Sequence, residues 1–259
     1  MSIFNWRGGL HILKVQQIIG TRFNFPVFQK GYDNAWHSYR LNLFDKICLP
    51  SVLSQRDVTL DWIITLNDQS PLDVTTYFNN LNKKYSWIKP FYLSVEKRNE
   101  AVKLMGKTRE ITLMWENITN PSINDDTDYV ITTKLDSDDA INFDYMKNVL
   151  SNFREQECCI NYPNGIWRQL GSATGTYQSM YYNAFQSVIS KVERLNGTLK
   201  YRHVNGWGGH KIAHSKLPLI EIPTADPMWA VTIHSKNDST KMRPGKTVNN
   251  LKKYFDFEI

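Results

Sequence analysis

Hydrophobic and polar residues follow two different periods over the first 153 residues. Runs rich in β-branched and aromatic residues predict strands at 15–21, 58–66, 87–95 and 128–135. Apolar residues spaced by three and four predict helices near 36–47, 74–85, 104–118 and 146–153. We expect Pro50 to end the first helix and Asn142 to cap the last. This alternation predicts an α/β fold with a mostly parallel central sheet flanked by helices.

The pattern changes at residue 158. "CCINYPNGIWRQL" predicts a hairpin around a Pro-Asn-Gly turn, and "TYQSMYY" predicts a strand. Phe185, Val188, Ile189 and Val192 have helical spacing, and a last strand is expected at 228–234. We therefore predict a single domain over 1–259, with a ligand-binding half at 10–157 and a mixed α+β half at 158–259.

Composition favours a globular protein of a reducing compartment. Hydrophobic residues make up 41% of the 259 positions and charged residues 22%. No window approaches the roughly 20 apolar residues that cross a bilayer, and "MSIFNWRGGLHILK" lacks the features of a signal peptide. Three cysteines without metal-type spacing predict free thiols, so we expect a cytoplasmic location.

The formal net charge is +6, and many of the basic residues lie between 236 and 253. Such a segment is either a solvated tail or a surface that meets phosphate, and peripheral contact with a membrane is one form of the latter. We expect no nucleic-acid partner, because the sequence contains neither a basic helix nor an aromatic RNA-binding motif.

Three carboxylates crowd the end of the fourth predicted strand in "KLDSDDAI", at Asp136, Asp138 and Asp139. An EF-hand would need Gly where Ile141 stands, and a haloacid-type phosphatase would need Thr in place of Ala140. A solvated turn stays open, although ligands of parallel sheets bind beyond the carboxyl ends of the strands. The alternative is a clamp in which Mg²⁺ or Mn²⁺, bound by oxygen ligands, neutralises a nucleotide diphosphate as the leaving group.

"TKLDSDDAI" resembles the DXD motif of glycosyltransferases with the GT-A fold, a Rossmann-like nucleotide-diphospho-sugar transferase fold. Other motifs, in order, resemble the rhamnosyltransferase-like family of bacterial and viral polysaccharide enzymes over about residues 16–243. They are "TRFN" at 21–24, Arg40, Leu43, Phe44, Pro50, Ser51, Gln55, Trp62, Asp68, Pro227, Trp229, His234 and Asn237. The resemblance implies metal-dependent transfer of a sugar from a nucleotide-diphosphate donor to a glycan or lipid-linked saccharide.

The resemblance also implies roles for individual residues at the metal. Asp138 would bind the cation, and His234 would be its third protein ligand. An imidazole suits Mn²⁺ better than Mg²⁺, although a half-buried His at a strand end is the ordinary alternative. Asp136 would meet the ribose or a metal-bound water, and Asp139 would hold the loop or assist the metal.

Residues that would bind the donor come from several segments. The resemblance places Thr21, Arg22 and Asn24 there, together with Ser137 of the motif. By topology, Asp68 would meet the base and Arg109 the phosphates. The polar, basic segment 235–246 is a candidate lid whose diphosphate contact would be Lys236, Lys241 or Arg243.

"VNGWGGHKIAH" at 204–214 is the candidate acceptor loop, through Trp207, Gly208 and Gly209. "GWGG" is similar to the "GWGGED" loop of β-galactosyltransferase-like GT-A enzymes, but His210-Lys211 replaces the Glu-Asp that supplies their base. Inverting transfer needs a base. The remaining candidates are His210, Asp226, His203 and Glu193, of which we favour the first two. A packed turn around a core Trp, a retaining mechanism and a non-catalytic carbohydrate- or calcium-binding module stay open as alternatives.

Overall fold

The computed structural model describes residues 7–8, 11–25, 33–207, 216–236 and 242–258. The strands are β1 (Arg7–Gly8), β2 (His11–Ile12), β3 (Val15–Arg22), β4 (Leu60–Asn67), β5 (Ile88–Leu93), β6 (Tyr129–Lys134), β7 (Ala140–Ile141), β8 (Cys158–Asn161), β9 (Asn164–Gln169), β10 (Gly175–Ser179), β11 (Ser187–Lys191), β12 (Glu193–Leu195), β13 (Thr198–Lys200), β14 (Leu219–Glu221), β15 (Trp229–Ile233) and β16 (Thr247–Val248). The helices are α1 (Asn34–Leu43), α2 (Leu49–Leu53), α3 (Leu72–Lys84), α4 (Val95–Met105), α5 (Lys107–Thr119) and α6 (Tyr145–Ser151).

The main sheet has seven strands in the order β14-β8-β11-β6-β3-β4-β5. All run parallel except β11, which is antiparallel to both of its neighbours. Side chains of α3 and α6 belong to the large apolar cluster on one face, whereas α5 covers the other face through Ile111, Trp115 and Ile118. The predicted α/β fold, with a mostly parallel sheet flanked by helices, is confirmed.

Two predictions for the second half are wrong. Residues 187–191 form β11 and not a helix, with Val188 and Ile189 in apolar clusters on opposite sides of the strand. A strand buried on both faces has a continuous apolar run, which periodicity alone does not distinguish from a buried helix. The hairpin at 158–169 is also wrong, because β8 and β9 belong to different sheets.

The first helix does not end at Pro50. A π-helical turn, Phe44–Cys48, joins α1 directly to α2, and the amide of Leu49 donates to the carbonyl of Phe44, five residues earlier. Pro50 lies in the first turn of α2, where a missing N–H is tolerated. The cap of α6 also differs, since Asp144 occupies that position and Asn142 accepts a hydrogen bond from its amide.

The second sheet, β16-β10-β9-β15-β7, lies beside the acidic segment. Its apolar side packs against the first helix and against the C-terminal segment, in a cluster made of Leu43, Ile47, Ala140, Ile166, Ala230, Leu251, Phe255 and Phe257. The C-terminal segment is therefore anchored by buried aromatic rings, although Lys252 and Lys253 are exposed as a basic tail would be.

Two further observations concern the chain as a whole. Cys48, Cys158 and Cys159 are free and buried, as predicted. None of the helices in the described ranges is both long enough and apolar enough to cross a bilayer.

We predict that Phe257→Ala lowers the free energy of unfolding by about 3–5 kcal/mol, because the ring is fully buried. Glu258→Ala is the matched control. Its side chain is exposed, so the change should stay within about 0.5 kcal/mol. Urea denaturation followed by tryptophan fluorescence measures both, and equal losses would show that the C-terminal segment is not anchored.

Candidate functional site

Strands β3 and β6 are adjacent and parallel, with Gly20 opposite Lys134. Their carboxyl ends therefore open at the same edge of the sheet. The "TRFN" segment at the end of β3 and the "DSDD" segment after β6 thus follow two adjacent strands at this carboxyl edge.

The acidic loop, residues 135–139, links β6 of the main sheet to β7 of the second sheet. A hydrogen bond from the amide of Asp139 to the carbonyl of Asp136 closes a turn in the loop. Ser137 is fully buried, and Asp138 and Asp139 are only 7% and 6% exposed. A solvated turn does not bury two carboxylates, so that alternative is wrong.

Asp138 is the centre of the loop's contacts. Its Oδ2 accepts a hydrogen bond from a terminal nitrogen of Arg40 at 2.5 Å and lies 3.0 Å from Nε2 of His234. Nε of Arg40 also donates to Oγ of Ser137 at 2.9 Å. Burial disfavours the charge of Arg40, but the carboxylates of Asp138, Asp136 and Asp139 outweigh it and raise the pKa of Arg40.

Asp139 points toward the second sheet. Its Oδ1 accepts a hydrogen bond from the amide of Thr232 at 3.0 Å. Burial, followed by repulsion from Asp138 and Asp136, raises the pKa of Asp139 well above its usual range. Oγ1 of Thr232 in turn accepts from Nε of Arg168 at 3.3 Å.

Arg168 is fully buried, with its guanidinium carbon 3.8 Å from the ring centroid of Phe257. Burial lowers the pKa of Arg168 to about 10, against the attraction of Asp139, so the guanidinium stays charged at neutral pH. Its two terminal nitrogens have no hydrogen-bond partner within the described part of the chain. The C-terminal segment therefore covers the charged guanidinium of Arg168, which is attracted by Asp139 of the acidic loop.

Asp136 is the most accessible carboxylate, with its side chain 28% exposed. Its Oδ1 lies 3.7 Å from Nζ of Lys134, which is buried at the end of β6. Burial lowers the pKa of Lys134 to about 8, and Asp136 opposes that shift. The loop thus presents three carboxylates to three basic side chains of the same chain.

The predicted metal ligands lie near one another, and their role as metal ligands stays a prediction. Asp138 and His234 are in contact, and Asp136 is two residues away on the same loop. Over the ranges that the structure describes, no group of three or more His, Cys, Asp and Glu side chains is disposed to hold a metal ion. A carboxylate and an imidazole that share one position nevertheless suit a borderline divalent cation such as Mn²⁺.

Thr21 and Asn24 make structural contacts at the carboxyl edge. Oγ1 of Thr21 accepts from Nε1 of Trp62 at 2.9 Å. Asn24 accepts from the amide of Asn67 at 2.9 Å and donates to Oγ of Ser70 at 2.8 Å. Both side chains thereby join the end of β3 to β4, and their donor-binding roles stay predictions.

Arg22, Asp68 and Arg109 are the other predicted donor residues from the first half. Arg22 ends β3, and its charge contributes to the lowered pKa of Lys134, so the two side chains lie near each other. Asp68 is exposed just after β4, and Arg109 is exposed in the first turn of α5. All three are accessible to a ligand at this edge, but their roles too stay predictions.

Of the candidate lid residues, Lys236 lies beside the site. Its Nζ is 5.8 Å from the ring centroid of Tyr39, and that ring is 5.4 Å from the ring of His234. Arg243 instead stacks over Trp167 of the second sheet at 4.6 Å. Lys241 lies outside the described residues.

The start of the candidate acceptor loop is a tight 3₁₀ turn, Val204–Trp207. The carbonyl of Gly206 accepts from Oγ1 of Thr112 at 2.6 Å, and a Cβ on Gly206 would lie 3.3 Å from the backbone of Thr112. Close packing against α5 is therefore one reason for glycine here. Gly208, Gly209 and His210 lie outside the described residues.

The structure does not bring the other candidate bases to the acidic loop. Asp226 precedes β15 and His234 follows it, so a strand of about 16 Å separates them. Glu193 lies in β12, which follows the end of β11 at the opposite edge of the sheet. The His203 ring stacks on Trp115 at 4.7 Å, and burial lowers the pKa of His203 to about 3, which keeps it neutral.

Three basic residues of the site had no predicted role there, namely Arg40, Lys134 and Arg168. Each has a signal in the sequence, because each interrupts an apolar pattern. Arg40 shares a helical face with Trp36 and Phe44, and Lys134 ends the buried run "YVITTK". A cation among core positions needs a partner, and here the acidic loop supplies it.

The chain matches the model of a protein family in sequence. A family described as "Putative rhamnosyl transferase" matches residues 28–246. None of the curated proteins matches the chain.

Three solved structures are distantly similar. The crystal structure of S. aureus TarS is 12% identical, with 85% of this chain and 37% of that chain covered and a TM-score of 0.40. That of S. aureus TarS 1–349 in complex with UDP is 11% identical, with 85% and 61% covered and a TM-score of 0.42. A "putative nucleotide-diphospho-sugar transferase from Desulfovibrio desulfuricans G20" is 9% identical, with 82% and 80% covered and a TM-score of 0.33. The chain thus spans less than two thirds of the first two structures.

We predict that Asn24→Ala lowers the free energy of unfolding by about 1–3 kcal/mol, because it removes two hydrogen bonds at a buried position. Asp68→Ala, at an exposed position on the same edge, should change it by no more than about 0.5 kcal/mol. Chemical denaturation compares the two variants. An unchanged stability of Asn24→Ala would contradict the structural role.

Proposed function

The chain belongs to the family described as "Putative rhamnosyl transferase", and we propose on this premise that it transfers a sugar from a nucleotide-diphosphate sugar to a hydroxyl of a glycan or lipid-linked saccharide. The observation that carries the proposal is the contact between Asp138 and His234 in a buried acidic loop at the carboxyl edge of a parallel sheet. Ligands of such sheets bind at this edge.

The charge distribution at the edge supports a diphosphate ligand. Basic side chains from four elements lie around the acidic loop. They are Arg22 of β3, Lys134 of β6, Arg40 of α1 and Lys236 after β15. A departing nucleotide diphosphate gains negative charge as the bond to the sugar breaks, and preorganised cations stabilise that charge. Arginine suits this task because its planar guanidinium forms paired hydrogen bonds with phosphate oxygens.

Asp138 and His234 would hold a divalent cation, with Asp136 beside them, and the donor chemistry favours Mn²⁺ over Mg²⁺. When bound, the cation would supply Lewis-acid stabilisation of the diphosphate leaving group. Ser137 positions Arg40 through its hydroxyl, and the Thr232 amide holds Asp139 at the back of the loop. These contacts keep the loop rigid while the donor binds.

The acceptor side of the proposal rests on the segment after residue 203. The turn Val204–Trp207 is fixed by Asn205, whose side chain donates to the carbonyl of Gly20 in β3. Trp207 would offer its ring to a sugar, followed along the chain by Gly208 and Gly209. His210 comes next and is the preferred base for the acceptor hydroxyl, because Asp226 is separated from the acidic loop by β15.

We predict that Asp138→Asn reduces transfer, and hydrolysis of the donor, by about 10²-fold or more, because it removes a charge from the centre of the site. The assay combines UDP-, dTDP- and GDP-sugars with Mn²⁺. Asp144→Asn is the control, since Asp144 is partly exposed and pairs with Arg56 away from the loop. Equal activity of the two variants would contradict the proposal, and sugar binding without nucleotide binding would favour a non-catalytic carbohydrate-binding module.

We propose that the corner where α4 meets α5 is a surface for membrane contact. Residues 103–109 are all exposed and include three basic side chains, two apolar ones and no acidic one. Leu104 is 85% exposed. This corner lies at the carboxyl edge, because Arg98 of α4 stacks on Phe25 after β3 and pairs with Glu110 of α5. A basic corner with exposed apolar tips suits an anionic lipid surface that presents a lipid-linked acceptor.

We predict that Leu104→Glu weakens binding to vesicles of phosphatidylglycerol and phosphatidylcholine by about tenfold, because it removes an exposed apolar side chain that would insert into the bilayer and adds a negative charge. Leu72→Glu is matched in exposure, at 81%, but lies next to Asp73, so it should bind like the unmodified protein. Co-sedimentation measures both. Equal binding of the two variants would exclude the corner as the contact surface.

A further inference from the structure

Arg40 donates a hydrogen bond to Oδ2 of Asp138, the carboxylate that would bind a divalent cation. We infer that Arg40 is an internal counter-cation of the acidic loop, and that it makes the site take up a divalent cation together with a nucleotide diphosphate and not alone. The inference rests on the proposed function, since it presumes a nucleotide-diphosphate donor.

The geometry of Arg40 supports this role. Two of its nitrogens are engaged, one with Oδ2 of Asp138 at 2.5 Å and one with Oγ of Ser137 at 2.9 Å. The same Oδ2 is 3.0 Å from Nε2 of His234, so Arg40 and His234 meet at one oxygen of Asp138. Helix α1 carries Arg40 to this position, with its first turn capped by Asp33 and its last residue, Leu43, buried.

Basic side chains offset the carboxylates of the loop. The groups in the closest contacts are three carboxylates and three basic side chains, namely Asp136, Asp138, Asp139, Lys134, Arg40 and Arg168. With all six ionised the sum is zero, and Arg22 and Lys236 add positive charge nearby. A free divalent cation therefore meets no net negative charge at the loop, although three carboxylates lie within four residues of one another.

A nucleotide diphosphate changes this balance. It brings several negative charges and gives the guanidinium of Arg40 a second set of oxygens to which it can donate. Asp138 is then available to the cation, which also binds the diphosphate. Each ligand therefore raises the affinity for the other, and by linkage the two effects are equal.

Titration with Mn²⁺, followed by the electron paramagnetic resonance signal of the free ion, tests the inference without any measurement of activity. In the absence of nucleotide, Arg40→Gln should bind Mn²⁺ at least about tenfold more tightly than the unmodified protein, because it leaves Asp138 without its counter-charge. Arg40→Lys keeps the charge and should stay close to the unmodified protein. Arg56→Gln is the control for loss of an exposed arginine, and it should also leave Mn²⁺ binding unchanged.

The second arm adds UDP, dTDP or GDP. At least one of them should raise the affinity of the unmodified protein for Mn²⁺ by roughly 5- to 150-fold, with a smaller gain for Arg40→Gln. Tight Mn²⁺ binding by the unmodified protein without nucleotide, or equal affinities of it and Arg40→Gln, would overturn the inference, as would the absence of any gain with all three nucleotides. Failure of the proposed function is seen separately, as the absence of sugar transfer and donor hydrolysis.

Discussion

Three segments that are distant in the sequence meet at one oxygen atom, Oδ2 of Asp138. Arg40 reaches it from α1, His234 reaches it from the end of β15, and the loop itself follows β6. The contact joins the first helix, the main sheet and the second sheet, so the relative placement of these three parts depends on it. A buried carboxylate without these partners would be strongly destabilising, because an uncompensated charge in the interior costs several kcal/mol.

The same loop is held from behind by a second series of contacts. Asp139 accepts from the amide of Thr232, Thr232 accepts from Arg168, and the guanidinium of Arg168 stacks on Phe257 near the C-terminus. The C-terminal segment therefore helps to support the site, because Phe257 covers the guanidinium of Arg168. This arrangement explains why the second sheet and the C-terminal segment share one apolar cluster with the first helix.

Much of the first half follows from periodicity, and the reason is the regularity of its elements. The strands β3, β4 and β6 are buried, and β5 is a partly buried edge strand. All four are separated by helices of ordinary length and lie where the pattern predicted them. Each of the two errors in the second half has its own physical reason. A strand buried on both faces, such as β11, carries no alternation, and consecutive strands such as β8 and β9 can enter different sheets without any local signal.

The sequence by itself determined the α/β class and the crowding of three carboxylates at the end of the fourth strand, whereas the pairing of Asp138 with His234 was implied by the family resemblance. It could do so because apolar periodicity and crowded carboxylates are local properties that survive without a structure. Only the tertiary structure decided that Arg40, Lys134 and Arg168 face the three carboxylates and that Asp226 lies at the far end of β15 from His234. Those facts depend on which distant segments pack together, and the charge that a ligand meets at the loop is the sum over all of them.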